Sequence, residues 1–182
     1  MSVAMRFIFW SILAWLYGCN LGPVSEPEPI RLKLLPPAEG PVATLLKQKV
    51  TLDFREQKQT WLVVSRFEAT SVRSVVLLAS GQKLLSMAYN GDRLEIEGVA
   101  AEKIPSEEIL AMMQFSLWPE SSITEHYAAS LGWQLEISTH QRLLKNDSGP
   151  VLKVSYMGSE TNIRNYLQDY HVIVELLGKT EL

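Results

Sequence analysis

Chemistry in this chain of 182 residues has few places to start, and the first is its single cysteine, Cys19. That thiol closes the tetrapeptide Leu16-Tyr17-Gly18-Cys19, directly after a stretch from Phe7 to Tyr17 that is apolar or aromatic apart from Ser11. With Arg6 in front, the pattern is a basic start, about a dozen apolar residues and a small residue before the break, which describes a secretory signal. A bilayer core needs about 20 apolar residues, so the run is too short to span one. The other reactive side chains do not gather. His126, His140 and His171 stand far apart and have no His-x-x-x-His or acid-rich ligand spacing, which argues against a metal site. There is no Gly-x-Ser-x-Gly elbow and no glycine-rich phosphate loop. Glu107-Glu108 reads as a pair of helix-start acids rather than as an acid–base couple. No enzyme activity, cofactor or metal is expected.

Leu-x-Gly-Cys resembles the lipobox of bacterial lipoproteins, in which the thiol takes a diacylglycerol before the leader is cut off. The resemblance implies that residues 1–18 are a lipoprotein signal peptide and that Cys19 is the acylated N-terminus. Lipoproteins held in the inner membrane typically carry Asp after the cysteine. Asn20 stands there, which implies the outer membrane, periplasmic face. An ordinary signal peptide, or an N-terminal anchor with an incidental cysteine, is the alternative.

Charge narrows the partners. Lys+Arg is 17 against 20 Asp+Glu, and loss of Arg6 with the leader leaves 16 against 20. That balance excludes the basic stripe that nucleic acid requires. It also argues against electrostatic docking on anionic lipid, so any membrane attachment falls to acyl chains on Cys19. Without a second cysteine no intramolecular disulfide can form, and a hydrophobic core must hold the fold.

These positions need elements to carry them. Residues 19–41 read as a tether, with Pro23, Pro27, Pro29, Pro36, Pro37 and Pro41 among the chain's nine prolines. Ile30, Leu32, Leu34 and Leu35 are too apolar for a pure spacer and are expected to pack back on the domain, residues 42–182. From there the pattern is period two. Val50, Leu52 and Phe54 form one alternating row; Trp61, Val63 and Phe67 form the next. Val72 to Ala79 is apolar on both faces. Lys83 to Tyr89 is followed by Asn90-Gly91, a strong hairpin signal, and then by Leu94 and Ile96. Pro105-Ser106-Glu107-Glu108 offers a fixed φ, a capping hydroxyl and acids for a helix start. Ile109, Leu110, Met113 and Leu117 follow at helical spacing, with Met112 and Phe115 widening the apolar face. The helix is expected to end near Trp118-Pro119, either as a core helix or as a greasy lid. Residues 121–130 are compatible with a second short helix. Strands resume at Trp133, Leu135 and Ile137, at Leu152, Val154 and Tyr156 after the turn cluster Asn146 to Pro150, and at Tyr170, Val172, Val174 and Leu176. His171, between two of these, is expected to face solvent. The expected class is mainly β with α (α+β): a curved antiparallel sheet with helices on its concave side.

The lipobox, the proline-rich tether, the early strands, Ile104-Pro105-Ser106 with Ile109-Leu110, Trp118-Pro119 and Gly132-Trp133 resemble a family of uncharacterised bacterial lipoproteins often encoded among aryl-polyene, fatty-acid-synthase-like genes. That family is similar to LolB, the outer-membrane receptor for lipoproteins, and to its soluble carrier LolA. The resemblance implies a half-open barrel whose helices lie over an apolar cavity for acyl chains, and a periplasmic LolA-like carrier as a partner. It also points to the stretch Ala79 to Leu85 as the counterpart of LolB's membrane-touching loop, with Leu84 as the exposed leucine; strand packing is the alternative role for Leu84. The expected cavity wall is Val50, Leu52, Phe54, Trp61, Val63, Phe67, Leu85, Met87, Leu94 and Ile96, closed by Ile109 and Met113. The implied function is reception or transfer of lipid or lipidated cargo. A non-catalytic structural lipoprotein whose barrel is filled by its own side chains is the alternative.

Overall fold

The computed structural model describes residues 31–182 apart from Val42, Arg55, Glu56 and Lys103. The leader, Cys19 and the tether up to Ile30 lie outside the described residues. Ten strands form one antiparallel sheet: β1 (Thr44–Phe54), β2 (Gln57–Glu68), β3 (Ser71–Leu77), β4 (Lys83–Tyr89), β5 (Leu94–Glu97), β6 (Gln134–Ile137), β7 (Gln141–Asn146), β8 (Gly149–Met157), β9 (Glu160–Asn165) and β10 (Tyr170–Glu181). Their order is β5-β4-β3-β2-β1-β10-β9-β8-β7-β6. Two five-stranded meanders thus meet at the long β1–β10 pair, and β5 and β6 are the open edges. The chain between those edges is helical: α1 (Ser106–Leu117) and α2 (Glu120–His126). A connection from one edge of a sheet to the other must cross a face, and this one crosses the inner face.

Contacts to α1 show how far the sheet curls around it. Side chains from β2, β7, β8, β9 and β10 all reach that one helix. Leu94 on one edge strand and Leu135 on the other pack on the same core. The result is the expected half-open curved antiparallel sheet with its helices inside.

Register explains which residues point inward, because paired residues of antiparallel strands share a face. One cross-strand row runs Trp61–Val50–Val174–Thr161–Tyr156. Another runs Leu85–Val76–Val63–Gln48–Leu176. The outer face carries Lys49, Arg66, Arg73, Glu95 and Glu97, as period-two alternation requires. His171 also lies on that face, half-buried, with Nε2 2.9 Å from Asn162 Oδ1 rather than free in solvent.

Helix α1 is buried on most of its circumference. Leu110, Ala111, Met112, Gln114, Phe115 and the following Trp118 are fully enclosed; the stripe Ile109–Met113–Leu117 and Glu108 are half-buried, and Glu107 is exposed. A helix apolar all round is one covered on opposite sides. Here the sheet covers one side. The segment Arg31–Pro41 covers the other, with Leu32 and Leu35 in the core. Arg31–Pro41, within the stretch read as a tether, thus belongs to the compact unit Arg31–Leu182. The return of Leu32 and Leu35 to the domain is the reason. The helix start also differs from expectation. Pro105 occupies the cap position with no side-chain cap, and the Ser106 hydroxyl donates backward to the Ile104 carbonyl at 3.2 Å.

At the expected hairpin, Asn90 to Arg93 links β4 to β5, with Gly91 at φ +97 and Asn90 Oδ1 accepting from the amides of Asp92 and Arg93. Gly98, just beyond β5, is demanded more strictly. Its φ is +132, and a Cβ there would lie 2.4 Å from the Leu84 carbonyl oxygen. Only glycine lets the β5–α1 connection run against the backbone of β4.

Candidate functional site

The inner face of the sheet divides into two apolar clusters. The larger holds Leu46, Phe67, Val72, Leu144, Leu152 and Val154 with Phe115, Trp118 and Tyr127 from the helical side. Edge-to-face aromatic contacts tie it together: Phe67 to Trp118 at 5.9 Å, Phe115 to Tyr127 at 5.4 Å and Tyr127 to Trp133 at 5.5 Å. The smaller cluster is Val76, Leu85 and Met87, with Trp61, Val63, Leu94, Ile96 and Ile104 against it. Within β2 and β3, the pair Ser65–Ser74 separates residues of the two. Both serines are fully buried, their hydroxyls are 2.8 Å apart, and Ser65 Oγ sits 3.6 Å from Met113 Sδ. Two hydroxyls so placed satisfy one another and leave no polar demand on the surrounding apolar surface.

The residues expected to wall a cavity all fall on this inner face. Phe67, Leu85 and Met87 are buried. Val50, Leu52, Phe54, Trp61, Val63, Leu94 and Ile96 are half-buried, as are Ile109 and Met113 on the helix. They divide between the two clusters: Phe67, Val50, Leu52, Phe54, Ile109 and Met113 belong to or pack on the larger, Leu85, Met87, Trp61, Val63 and Ile96 the smaller, and Leu94 touches both. Two shallow depressions of the described surface lie elsewhere. One, of about 230 Å³, is lined by residues including Arg73, Val75, Ser86 and Glu97; the other, of about 270 Å³, is bounded by Ala43, Arg66 and Leu182. What the inner face offers is an open apolar surface, with Phe115, Trp118 and Tyr127 occupying one part of the curl. Leu84 sits in β4, half-buried against the Val76–Leu85–Met87 cluster. The β3–β4 link is tight: Leu78 N donates to Gln82 O at 2.9 Å and Gly81 N to Leu78 O at 2.8 Å.

Polar contacts pin α1 at both ends and in the middle. At its N-terminal turn Glu108 Oε1 accepts from Asn165 Nδ2 at 2.5 Å and from the Tyr170 hydroxyl at 3.1 Å. Burial, together with the Glu108 charge, drives the Tyr170 phenol well above its ordinary range. At its C-terminal end Arg142 Nη1 donates to the carbonyls of Phe115 at 2.6 Å and Trp118 at 2.8 Å, and the Tyr156 hydroxyl donates to Ser116 O at 2.7 Å. These are the carbonyls a helix leaves without intrahelical partners, and a cation there also meets the negative end of the dipole.

In the middle, Gln114 binds Leu35 as a neighbouring strand would. Its Oε1 accepts from Leu35 N and its Nε2 donates to Leu35 O, both at 2.8 Å. Trp118 Nε1 adds a bond to Pro36 O at 3.0 Å, and the Tyr127 hydroxyl accepts from Lys33 N at 3.1 Å. Burial pushes the Tyr127 phenol up to about 12. Further on, Glu39 Oε2 takes Ser122 Oγ at 2.6 Å and His126 Nε2 at 2.9 Å, while Gly40 lies flat on the Trp118 indole. So the helix is a fixed wall clamped from two sides rather than a free flap. Sequence spacing did not single out Gln114, Arg142 or Asn165, and placed Tyr156 only in a strand row. The one available signal was Gln114, a polar residue at i+4 from Leu110 and i−4 from Trp118 on a buried face.

The family model described as "Protein of unknown function (DUF3261)" matches residues 45–178, and the chain belongs to that family. Among curated proteins nothing matches. Two solved structures are similar at a distance. One, described as an outer membrane lipoprotein-sorting protein domain from Vibrio parahaemolyticus, is 6% identical with a TM-score of 0.39, covering 76% of this chain and 84% of that one. The other, a DUF1329 family protein from Desulfovibrio piger, is 5% identical with a TM-score of 0.38, covering 76% and 85%. Likeness at that level carries no argument about the chemistry of this chain. Among the described residues no helix is long and apolar enough to cross a membrane.

Proposed function

We propose that this member of the DUF3261 family is a non-catalytic lipoprotein of the outer membrane, anchored through acylated Cys19, that shelters acyl chains in its trough during reception or transfer of lipid or lipidated cargo. One observation carries the reading. The row Trp61–Val50–Val174–Tyr156 and the stripe Ile109–Met113–Leu117 face inward yet stay half-buried. A soluble domain hides its largest apolar residues unless that surface has an occupant. An alkyl chain laid there gains about 25 cal/mol per Å² of apolar surface removed from water and needs no directional partner. With no covalent step, such a chain can be taken in and handed on. The chain in transit would arrive from a soluble periplasmic carrier with a similar trough.

A second reading has its own observation. Phe115, Trp118 and Tyr127 fill part of the curl with the chain's own aromatics, which suits a structural lipoprotein with a filled barrel. Mass spectrometry of lipid co-purifying with the full chain, together with displacement of a bound fluorescent fatty acid, separates the two. A co-purifying lipid and saturable displacement are expected for the carrier; protein that takes up no probe at micromolar concentration overturns it.

A further inference from the structure

One polar side chain stands in the apolar inner face without a partner. Gln48 of β1 is 9% exposed. Directly across from it are Val63 on β2 and Leu176 on β10, and Leu46 and Val50 flank it along the same face of β1. All four neighbours are apolar. Elsewhere in the core the buried polar side chains bond one another or the backbone: Ser65 to Ser74, Ser122 to Glu39, Asn165 to Glu108. The contrast is sharpest with Gln114, also buried, whose amide clasps Leu35 through both of its ends. The Gln48 amide bonds to no side chain or backbone group among the described residues. Burying an amide among apolar groups without a bond destabilises a fold, and a group left so asks for an explanation.

Its position says what would bond it. Among the described residues every wholly enclosed side-chain nitrogen or oxygen has a hydrogen-bond partner. The unbonded Gln48 amide is therefore the accessible tip of a side chain otherwise hidden. The opening lies towards β10. The inner row Leu85–Val76–Val63–Gln48 ends on Leu176, which is 41% exposed, and the pairing of β9 with β10 stops just short of it at Glu160–Glu175. In the other direction Val50, Leu52 and Phe54 carry the half-buried apolar face on along β1. An amide at the mouth of an apolar surface matches an acyl chain: methylenes for Val50 to Phe54, and a carbonyl oxygen to accept from Gln48 Nε2. Bare hydrocarbon would leave the amide unbonded, and a neutral amide offers a phosphate no charge.

We infer that Gln48 is the polar anchor of the inner face, its amide holding the carbonyl of an acyl chain whose tail lies along Val50, Leu52 and Phe54. This rests on the carrier reading and deepens it, because the occupant must bear a carbonyl at one end. The full chain is reconstituted in phosphatidylcholine vesicles and given three probes built on one pyrene-tipped alkyl chain: the carboxylic acid, its methyl ester, and the alkylpyrene without a carbonyl. Energy transfer from tryptophan to pyrene reads uptake. Each probe is compared between parent and variant, so its own preference for the vesicle cancels. Gln48→Met keeps the length of the side chain and should weaken both carbonyl probes about fivefold, as loss of one neutral hydrogen bond does, while changing the alkylpyrene less than about twofold. Gln48→Glu keeps the shape but loses the donor at neutral pH, and should weaken the carbonyl probes as well. A loss confined to the acid or to the ester supports the inference and identifies the source of the carbonyl. Without probe, Gln48→Met removes an unbonded amide and should leave Tm unchanged or raise it. Uptake of all three probes with equal losses, or with the carbonyl probes unaffected, overturns the inference and leaves the carrier reading standing. A clear fall in the Tm of probe-free Gln48→Met also overturns it, since that marks a structural partner for the amide. A parent chain that takes up none of the probes sinks the carrier reading, and the anchor with it.

Discussion

Gln114→Leu replaces a buried amide by an apolar side chain of similar size and leaves the Leu35 amide and carbonyl facing it without partners. Gln114 and Leu35 are both 0% exposed, so water cannot replace the two 2.8 Å bonds without lifting the segment Arg31–Pro41, the strap over the helix. A buried backbone group deprived of its partner costs roughly 1–3 kcal/mol. Two of them give a loss of about 4 kcal/mol, or a fall in Tm of about 10 °C for a domain of this size. Urea unfolding followed by tryptophan fluorescence reads the change, because Trp118 bonds to the next strap residue, Pro36. Gln114→Glu sharpens the test. At neutral pH its carboxylate can accept from Leu35 N but confronts Leu35 O; once protonated, it donates to that oxygen. The introduced acid thus has a folded pKa above its unfolded value of about 4.3. Its stabilisation is present below that pH and is lost as pH rises through the folded value. The Glu variant should approach the parent near pH 4 and fall away towards pH 7, whereas the Leu variant should show no such recovery. A loss under about 1 kcal/mol in Gln114→Leu, or no acid recovery in Gln114→Glu, would refute the view that this clamp holds the segment Arg31–Pro41 to the helix.

Other outcomes follow from the same contacts. Tyr127, raised by burial to about 12, keeps its proton in the folded state while the unfolded chain ionises near 10. With Tyr170 raised as well, stability should be full below pH 10 and fall by at least about 3 kcal/mol between pH 10 and 12; unfolding midpoints flat across that range would contradict the burial. Gly98→Ala must both leave a positive φ and clear the Leu84 carbonyl, and should cost at least about 3 kcal/mol by thermal denaturation. Arg142→Met removes the donors to Phe115 O and Trp118 O and should cost about 2–3 kcal/mol in a chemical-denaturation series. Val174→Glu puts a charge in the half-buried inner row and should weaken fatty-acid binding at least tenfold in protein that still unfolds cooperatively, at a lowered Tm, as fluorescence displacement and thermal unfolding would show.

Strand existence was legible wherever apolar and polar residues alternate cleanly, as in Val50 to Phe54 or Trp133 to Ile137. It failed for β7 and β9, Gln141–Asn146 and Glu160–Asn165. Their polar residues include inward-facing Arg142 and Asn165, which hide the period. The turn cluster Asn146 to Pro150 held a usable hint, since a tight turn before β8 implies an antiparallel partner ahead of it. The helix was legible from spacing, and so were Leu110, Met112 and Phe115 of its buried face; the sequence did not show that these, with Ala111, are fully enclosed while Ile109, Met113 and Leu117 stay half-buried. Periodicity describes a helix covered on one side, and this one is covered on two.

Local pattern alone decided that the chain would be an antiparallel sheet interrupted by helices, and which side chains share its inner face, because period two and turn chemistry act over neighbouring residues. Only the tertiary structure decided that β1 pairs with β10, that the helical crossing from β5 to β6 lies inside the curl, and that Arg31–Pro41 closes over it through Gln114. Those choices depend on contacts between residues far apart in the chain, 79 positions in the case of Leu35 and Gln114. Long-range pairing is selected by burial and polar satisfaction of the whole, which no window of sequence contains.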